Sequence, residues 1–188
     1  MFDLKSRTWF PIKEIHGKID ACMGVTMTPI GEFIYSFGGE WGEGEDSQYS
    51  NDLFQLMFQE EIKAPEIPPL MVTKVEASGV RPNPRTGHAA VNYKSKMLLI
   101  LGGEGVSSKR ASILYNDLWA FDLRTCSWSE LPIENRTVFR PRTNFTANIY
   151  KNTLYVFGGF INLTSFKSTD ELVTLTLNET RQAIRHEF

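Results

Sequence analysis

Four phrases follow one another in the middle of the chain: Pro84-Arg85-Thr86-Gly87-His88-Ala89-Ala90-Val91, Met97-Leu98-Leu99-Ile100-Leu101-Gly102-Gly103, Asn116-Asp117-Leu118-Trp119, and Phe121-Asp122-Leu123-Arg124-Thr125-Cys126-Ser127-Trp128. Each is a short apolar or aromatic run punctuated by proline, glycine or an Asn-Asp pair. That is the pattern of consecutive short strands rather than of helices. The glycine pair after Leu101 stops its strand sharply, because two residues without Cβ resist further extension of a packed ladder.

The same phrases recur on both sides. Phe33-Ile34-Tyr35-Ser36-Phe37-Gly38-Gly39 and Thr153-Leu154-Tyr155-Val156-Phe157-Gly158-Gly159 repeat the glycine-closed strand, with Gly38 and Gly102 separated by 64 residues and Gly102 and Gly158 by 56. Such spacing is close to the ~50 residues of one known repeat class. About ten residues after each pair comes an acidic strand start, Asn51-Asp52-Leu53-Phe54 before the central copy and Thr169-Asp170-Glu171-Leu172 after it. Phe2-Asp3-Leu4-Lys5-Ser6-Arg7-Thr8-Trp9 mirrors Phe121 to Trp128, and Pro141-Arg142-Thr143-Asn144-Phe145-Thr146-Ala147-Asn148 mirrors Pro84 to Val91, with a degraded copy near Ala21 to Val25. Four short strands per unit result.

In this order the phrases resemble the kelch repeat, in which a four-stranded sheet, strands a (innermost) to d (outermost), forms one blade of a β-propeller. The resemblance covers nearly the whole chain. It implies an all-β, kelch-type β-propeller segment of roughly three and a half blades: residues 1–18 the end of a preceding blade, then blades over 19–78, 79–135 and 136–188. A closed propeller has four to eight blades, so part of a larger ring is expected, through further kelch blades in the same or another chain. Two blades depart from the pattern. Val72 and Gln182 stand where the strand d tryptophan is expected, and Asn144-Phe145 replaces Gly-His.

The glycine pairs are expected to let a bulky side chain of the same or the next blade approach, with Trp9, Trp119 and Trp128 filling the space between sheets. A glycine-rich phosphate cradle would need a helix N-terminus after the glycines, and none is predicted. Arg85 and Arg142 start inner strands and are expected at the channel mouth, paired with a carbonyl or carboxylate or forming an anionic-ligand site. His88 is expected in the blade interior.

Composition narrows the function classes. With 20 Lys+Arg against 22 Asp+Glu the net charge is −2, which excludes a strongly basic nucleic-acid binder. No apolar run reaches the ~18 residues of a bilayer span, and Met1-Phe2-Asp3-Leu4-Lys5 does not read as a leader, so no membrane partner is expected. Cys22 and Cys126 fall on different blades, too far apart to bridge, and His16, His88 and His186 are scattered, so neither a disulfide nor a metal site is expected. Free thiols favour a cytoplasmic setting over the secretion hinted at by the Asn-x-Thr sequons at Asn135, Asn144, Asn162 and Asn178. Asn144 is expected inside an inner strand, with no room for a glycan.

Propellers host enzymes and binding modules alike, so the fold alone decides nothing. Copper-oxidase, iron-dependent lyase and sugar isomerase sites known among kelch proteins have no counterpart cluster here, and no cofactor is expected. A non-catalytic interaction scaffold is the leading expectation, with packing by blade edges inside a large assembly as the first alternative and a kelch-fold enzyme, metal-dependent or a sugar isomerase, as the second. Gln59 to Met71, with Pro65, Pro68 and Pro69, reads as an insertion between strands c and d. The strand b to c loops are expected together on one face. They carry Trp41, Glu43, Glu45, Asp46 and Tyr49 in the first, Lys109, Arg110 and Tyr115 in the second, and Phe160, Phe166 and Lys167 in the third. Aromatics flanked by charge are the composition of interaction hot spots, and the acidic first loop suits a protein segment bearing Lys or Arg.

Overall fold

A computed structural model describes residues 2–20, 22–42, 46–59, 62, 66–107, 111–133 and 137–177. Its elements are all strands. In chain order they are β1 (Phe2–Asp3), β2 (Thr8–Trp9), β3 (Ile15–His16), β4 (Thr26–Ile30), β5 (Phe33–Phe37), β6 (Glu40–Trp41), β7 (Gln48–Tyr49), β8 (Leu53–Phe58), β9 (Leu70–Lys74) and β10 (Ala89–Tyr93). There follow β11 (Met97–Leu101), β12 (Glu104–Val106), β13 (Ser112–Leu114), β14 (Leu118–Asp122), β15 (Ser127–Leu131), β16 (Thr146–Tyr150), β17 (Thr153–Phe157), β18 (Phe160–Asn162), β19 (Lys167–Ser168) and β20 (Leu172–Thr176).

Three antiparallel sheets, β4-β5-β8-β9, β10-β11-β14-β15 and β16-β17-β20, are the blades. Their inner strands β4, β10 and β16 are neighbours in that order, so the sheets stand around a common axis. β9 occupies the strand d position despite Val72 in place of tryptophan. Gln182 lies outside the described residues.

The cores lie between sheets. Leu98 and Ile100 point from β11 toward the first blade, where they join Tyr35, Phe37, Phe121 and Trp128, while Leu99 and Leu101 point toward Phe139, Phe145, Leu154 and Val156 of the third. Both faces of β11 are therefore covered, which is why its sequence is apolar at every position instead of alternating. Phe37 and Phe121 each set their ring 5.2 Å from that of Trp128. β17 does alternate: Leu154 and Val156 are buried while Tyr155 and Phe157 are exposed on the face away from the second blade.

The glycine pairs work as the packing argument requires. A Cβ on Gly102 (φ +59°) would lie 3.0 Å from the Phe145 ring and 3.1 Å from the Arg142 carbonyl, both in the next blade. At the matching Gly158 (φ +74°) the nearest atom is 3.6 Å away, on the exposed side of the third blade.

Several expectations need correcting. Trp9 pairs with Phe2 across β1-β2 as Trp128 pairs with Phe121, and the rings sit 5.1 Å apart. Trp9 is nonetheless 75% exposed, because that hairpin is a two-stranded sheet and, among the described residues, no blade packs on it. Asn144 precedes β16, exposed, in a left-handed bend (φ +54°) that matches Gly87 (φ +59°); asparagine tolerates this region, so the residue substitutes for glycine at a turn and is not inside a strand. The insertion is shorter than expected. Leu70 and Met71 already belong to β9, and the Gln59 amide donates to the Pro69 carbonyl at 3.2 Å to close the loop.

One device escaped the sequence reading. The segment entering each of the first two blades runs parallel along that blade's outer strand: Ile15 and His16 pair with Leu70 and Met71, and Ser78 bridges Ser127. Gly17 and Gly79 end these straps at matching positions, where a Cβ would meet the Val72 and Trp128 carbonyl oxygens at 2.1 and 2.5 Å.

Candidate interaction site

Each strand b to c loop contains a short hairpin, β6-β7, β12-β13 or β18-β19. Glu40, Glu104 and Phe160 open these hairpins at one register, each bridging a residue just before an inner strand, Met23, Thr86 and Thr143 respectively. Two adjacent blades thereby carry a carboxylate at the same place. Burial and the nearby Glu40 push the Glu104 carboxyl above its ordinary range. Tyr49 is also pushed up, by burial and then by the charges of Glu40 and Glu104. Glu40 and Glu104 were not singled out from the sequence. Their shared register after successive glycine pairs was the available signal.

The loop residues expected to contact a partner fall into four groups. Trp41 lies on β6 at 38% exposure, and Asp46, Phe166 (73%) and Lys167 are exposed. Tyr49 and Phe160 are half-buried, Phe160 holding Phe166 edge-on at 6.3 Å. Glu43, Glu45, Lys109 and Arg110 lie outside the described residues. Tyr115 corrects the expectation. It is 8% exposed, with the Arg85 guanidinium 4.2 Å over its ring, so its face is taken by its own blade.

Arg85 and Arg142 are fully buried rather than presented at a channel mouth. Arg85 donates from Nε to the Asn83 carbonyl, from Nη1 to the Gly102 carbonyl, and through both Nη atoms to Asp117 at 2.7 and 2.8 Å. Arg142 repeats the pattern with the Arg140 and Gly158 carbonyls and with Glu171 at 3.1 Å. Burial alone would raise the Asp117 carboxyl, but the Arg85 hydrogen bonds and charge, with Trp119 Nε1 donating at 2.7 Å, hold it below its usual value. Four of the five N–H donors of Arg85 and three of those of Arg142 are thus used within the blade, chiefly to tie the end of strand b to the start of strand c, and the carboxylate there already neutralises the charge an anion would need.

His88 sits in the blade interior as expected, Nε2 2.8 Å from Thr26 Oγ1 and its ring edge-on to Phe37. Burial, then the Arg85 charge, depresses its pKa to about 3, so it is neutral at pH 7 and too weak a base for proton transfer. Among the described residues no group of three or more His, Cys, Asp or Glu could hold a metal, and no helix is long and apolar enough to cross a membrane.

Residues 1–159 match the model of the KLHDC2/KLHL20/DRC7 Kelch-repeats domain. The chain belongs to the kelch-repeat family. Among kelch relatives, human host cell factor 2 is 35% identical over 151 residues, covering 74% of this chain and 17% of the relative. The dynein alpha chain of the flagellar outer arm of Chlamydomonas reinhardtii is 33% identical over 139 residues, 73% of this chain and 3% of that protein. The chain thus spans a small part of these kelch relatives. The solved structure of YjhT superposes with a TM-score of 0.71 at 17% identity, over 95% of this chain and 49% of that one, which shows the fold.

Proposed function

We propose that the chain is a non-catalytic interaction module whose hairpin face takes a partner segment bearing Lys or Arg. The observation that carries this reading is the pair Glu40 and Glu104, two carboxylates at one register on adjacent hairpins, where burial and then the charge of Glu40 raise the proton affinity of Glu104. A cation relieves that repulsion. Trp41 and Phe166 supply exposed aromatic area on the same set of hairpins. Host cell factor 2 and the dynein chain, in which the matching region is a small share of a long protein, support a module working inside a larger assembly. The free thiols Cys22 and Cys126 fit a reducing, cytoplasmic setting.

Further blades, in the same or another chain, complete the ring against the third blade. Tyr155, Phe157 and Leu172 leave an apolar face there, at the positions where the second blade's Leu99 and Leu101 are covered.

A fluorescein-labelled peptide of alternating Gly, Arg and Lys tests the face. Anisotropy should show binding that weakens as salt rises from about 50 to about 300 mM, and the double variant E40Q/E104Q should bind about fivefold less tightly, as two partly screened ion pairs allow. Equal binding by the double variant would overturn the assignment.

A further inference from the structure

The two buried arginines have no counterpart in the first blade. Gly24, Gly87 and the bridges Met23–Glu40 and Thr86–Glu104 fix the register, and Cys22 stands where Arg85 and Arg142 stand in the next two blades. The carbonyl and the carboxylate that the arginines use are kept there. Gly38 matches Gly102 and Gly158, whose carbonyls accept from the arginines, and Asp52 matches Asp117 and Glu171, as the equivalent hydrogen bonds of the Gly38, Gly102 and Gly158 amides to the carbonyls of Asp52, Asp117 and Glu171 show. In the second blade the guanidinium lies on the Tyr115 ring beside Gly105. In the first blade these two positions are exchanged: Ser50 is small and Trp41 carries the ring. A cleft results, lined among others by Cys22, Gly38, Trp41, Ser50, Asp52 and Asp20.

We propose, building on the interaction reading above, that this cleft receives the guanidinium of an arginine supplied by the partner. The receptor parts repeat those the chain itself uses in the other two blades: a carboxylate, met by both Nη atoms of Arg85 in the second and by one of Arg142 in the third, a strand-end carbonyl and an aromatic face, Tyr115 or Phe139. Asp20 stands at the position of Asn83 and adds a second carboxylate, which like Asp52 is held by a solvated lysine, Lys18 Nζ at 3.0 Å. Lys74 Nζ holds Asp52 Oδ1 at 2.8 Å, in a pair whose two side chains are 49% and 33% exposed. That solvated contact is the one the incoming guanidinium shares or displaces. In the other two blades the carboxylate is served by an arginine of its own blade, so those sites are closed to a partner.

Cys22 is a built-in reporter, with exposed Cys126 as control. Alkylation by iodoacetamide, followed at each cysteine by mass spectrometry, should slow about fivefold at Cys22 and not at Cys126 when N-acetyl-arginine amide is present at about 20 mM. The neutral isostere N-acetyl-citrulline amide at matched ionic strength should give no protection, and N-acetyl-lysine amide less than arginine. D52N should abolish the protection. A cleft shaped for arginine also predicts that C22R melts a few degrees higher than the natural chain. Unprotected Cys22, equal protection by citrulline or lysine, protection that survives D52N, or a lowered melting point for C22R would each overturn the proposal. Glu40 and Glu104 do not line the cleft, so E40Q/E104Q should leave the protection intact; peptide binding lost by that variant with Cys22 still protected separates the hairpin reading from this one.

Discussion

Arg85 holds two strands together through one guanidinium, and its loss would strand Asp117 in a site with little water. Removing one partner of a buried pair costs about 3 kcal/mol or more, so R85A should lower the urea midpoint strongly. R85K should recover little, since an ammonium cannot make both carboxylate contacts and stack on Tyr115. His88 gives a second test at this scale. Its folded pKa of about 3 lies below the unfolded 6.5, so the unfolded chain binds more protons in between. The stability it contributes is complete above pH 6.5 and is lost as pH falls toward 3. By linkage the loss between pH 6.5 and about 5 is roughly 2 kcal/mol. Urea midpoints of H88Q should be nearly flat over that interval. Glu104 moves oppositely: its raised carboxyl means that the basic peptide, which prefers the ionised form, should bind less well as pH falls through a range above the ordinary carboxylate value.

At the scale of the element, the glycine closing strand b is worth most where a neighbouring blade leans on it. G102A and G158A share the strain of a positive φ, about 1 kcal/mol. Only G102A also presses on the buried Phe145 ring and should cost about 1 kcal/mol more; equal melting points for the two variants would deny the inter-blade role. These strands were readable in advance because β4-β5-β8, β10-β11-β14-β15 and β16-β17-β20 carry their own punctuation, a glycine pair or an acidic start, at a repeating interval. β6, β7, β12, β13, β18 and β19 were not, since two or three residues show no period. The straps at Ile15–His16 and Ser78 were hidden for a related reason: parallel pairing to a distant strand leaves no local mark beyond Gly17 and Gly79. Tyr115 was misplaced because its hot-spot composition is equally that of a stacking platform, and only the neighbouring Arg85 distinguishes the two. Cys22 was read as an ordinary thiol. Its meaning lies in what the other blades hold at that register.

The whole molecule has two unlike ends. Its first blade is strapped along the outer strand, whereas the third presents Tyr155, Phe157 and Leu172 to solvent. Sedimentation of residues 1–188 should show self-association that grows with concentration, as an exposed contiguous apolar face favours, and F157E/L172E should restore a monomer. A monomer already in the natural sequence would mean that this face needs no cover. Which surface engages a partner decides between the hairpin face and the blade edges. Hydrogen–deuterium exchange of the chain with and without the basic peptide reads this directly. We predict slowed exchange in the β6-β7 and β12-β13 hairpins and around Cys22 and Asp52, with β9 and β15 unchanged; protection concentrated along β9 and β15 instead would show that the blade edges, and not the hairpin face, make the contact.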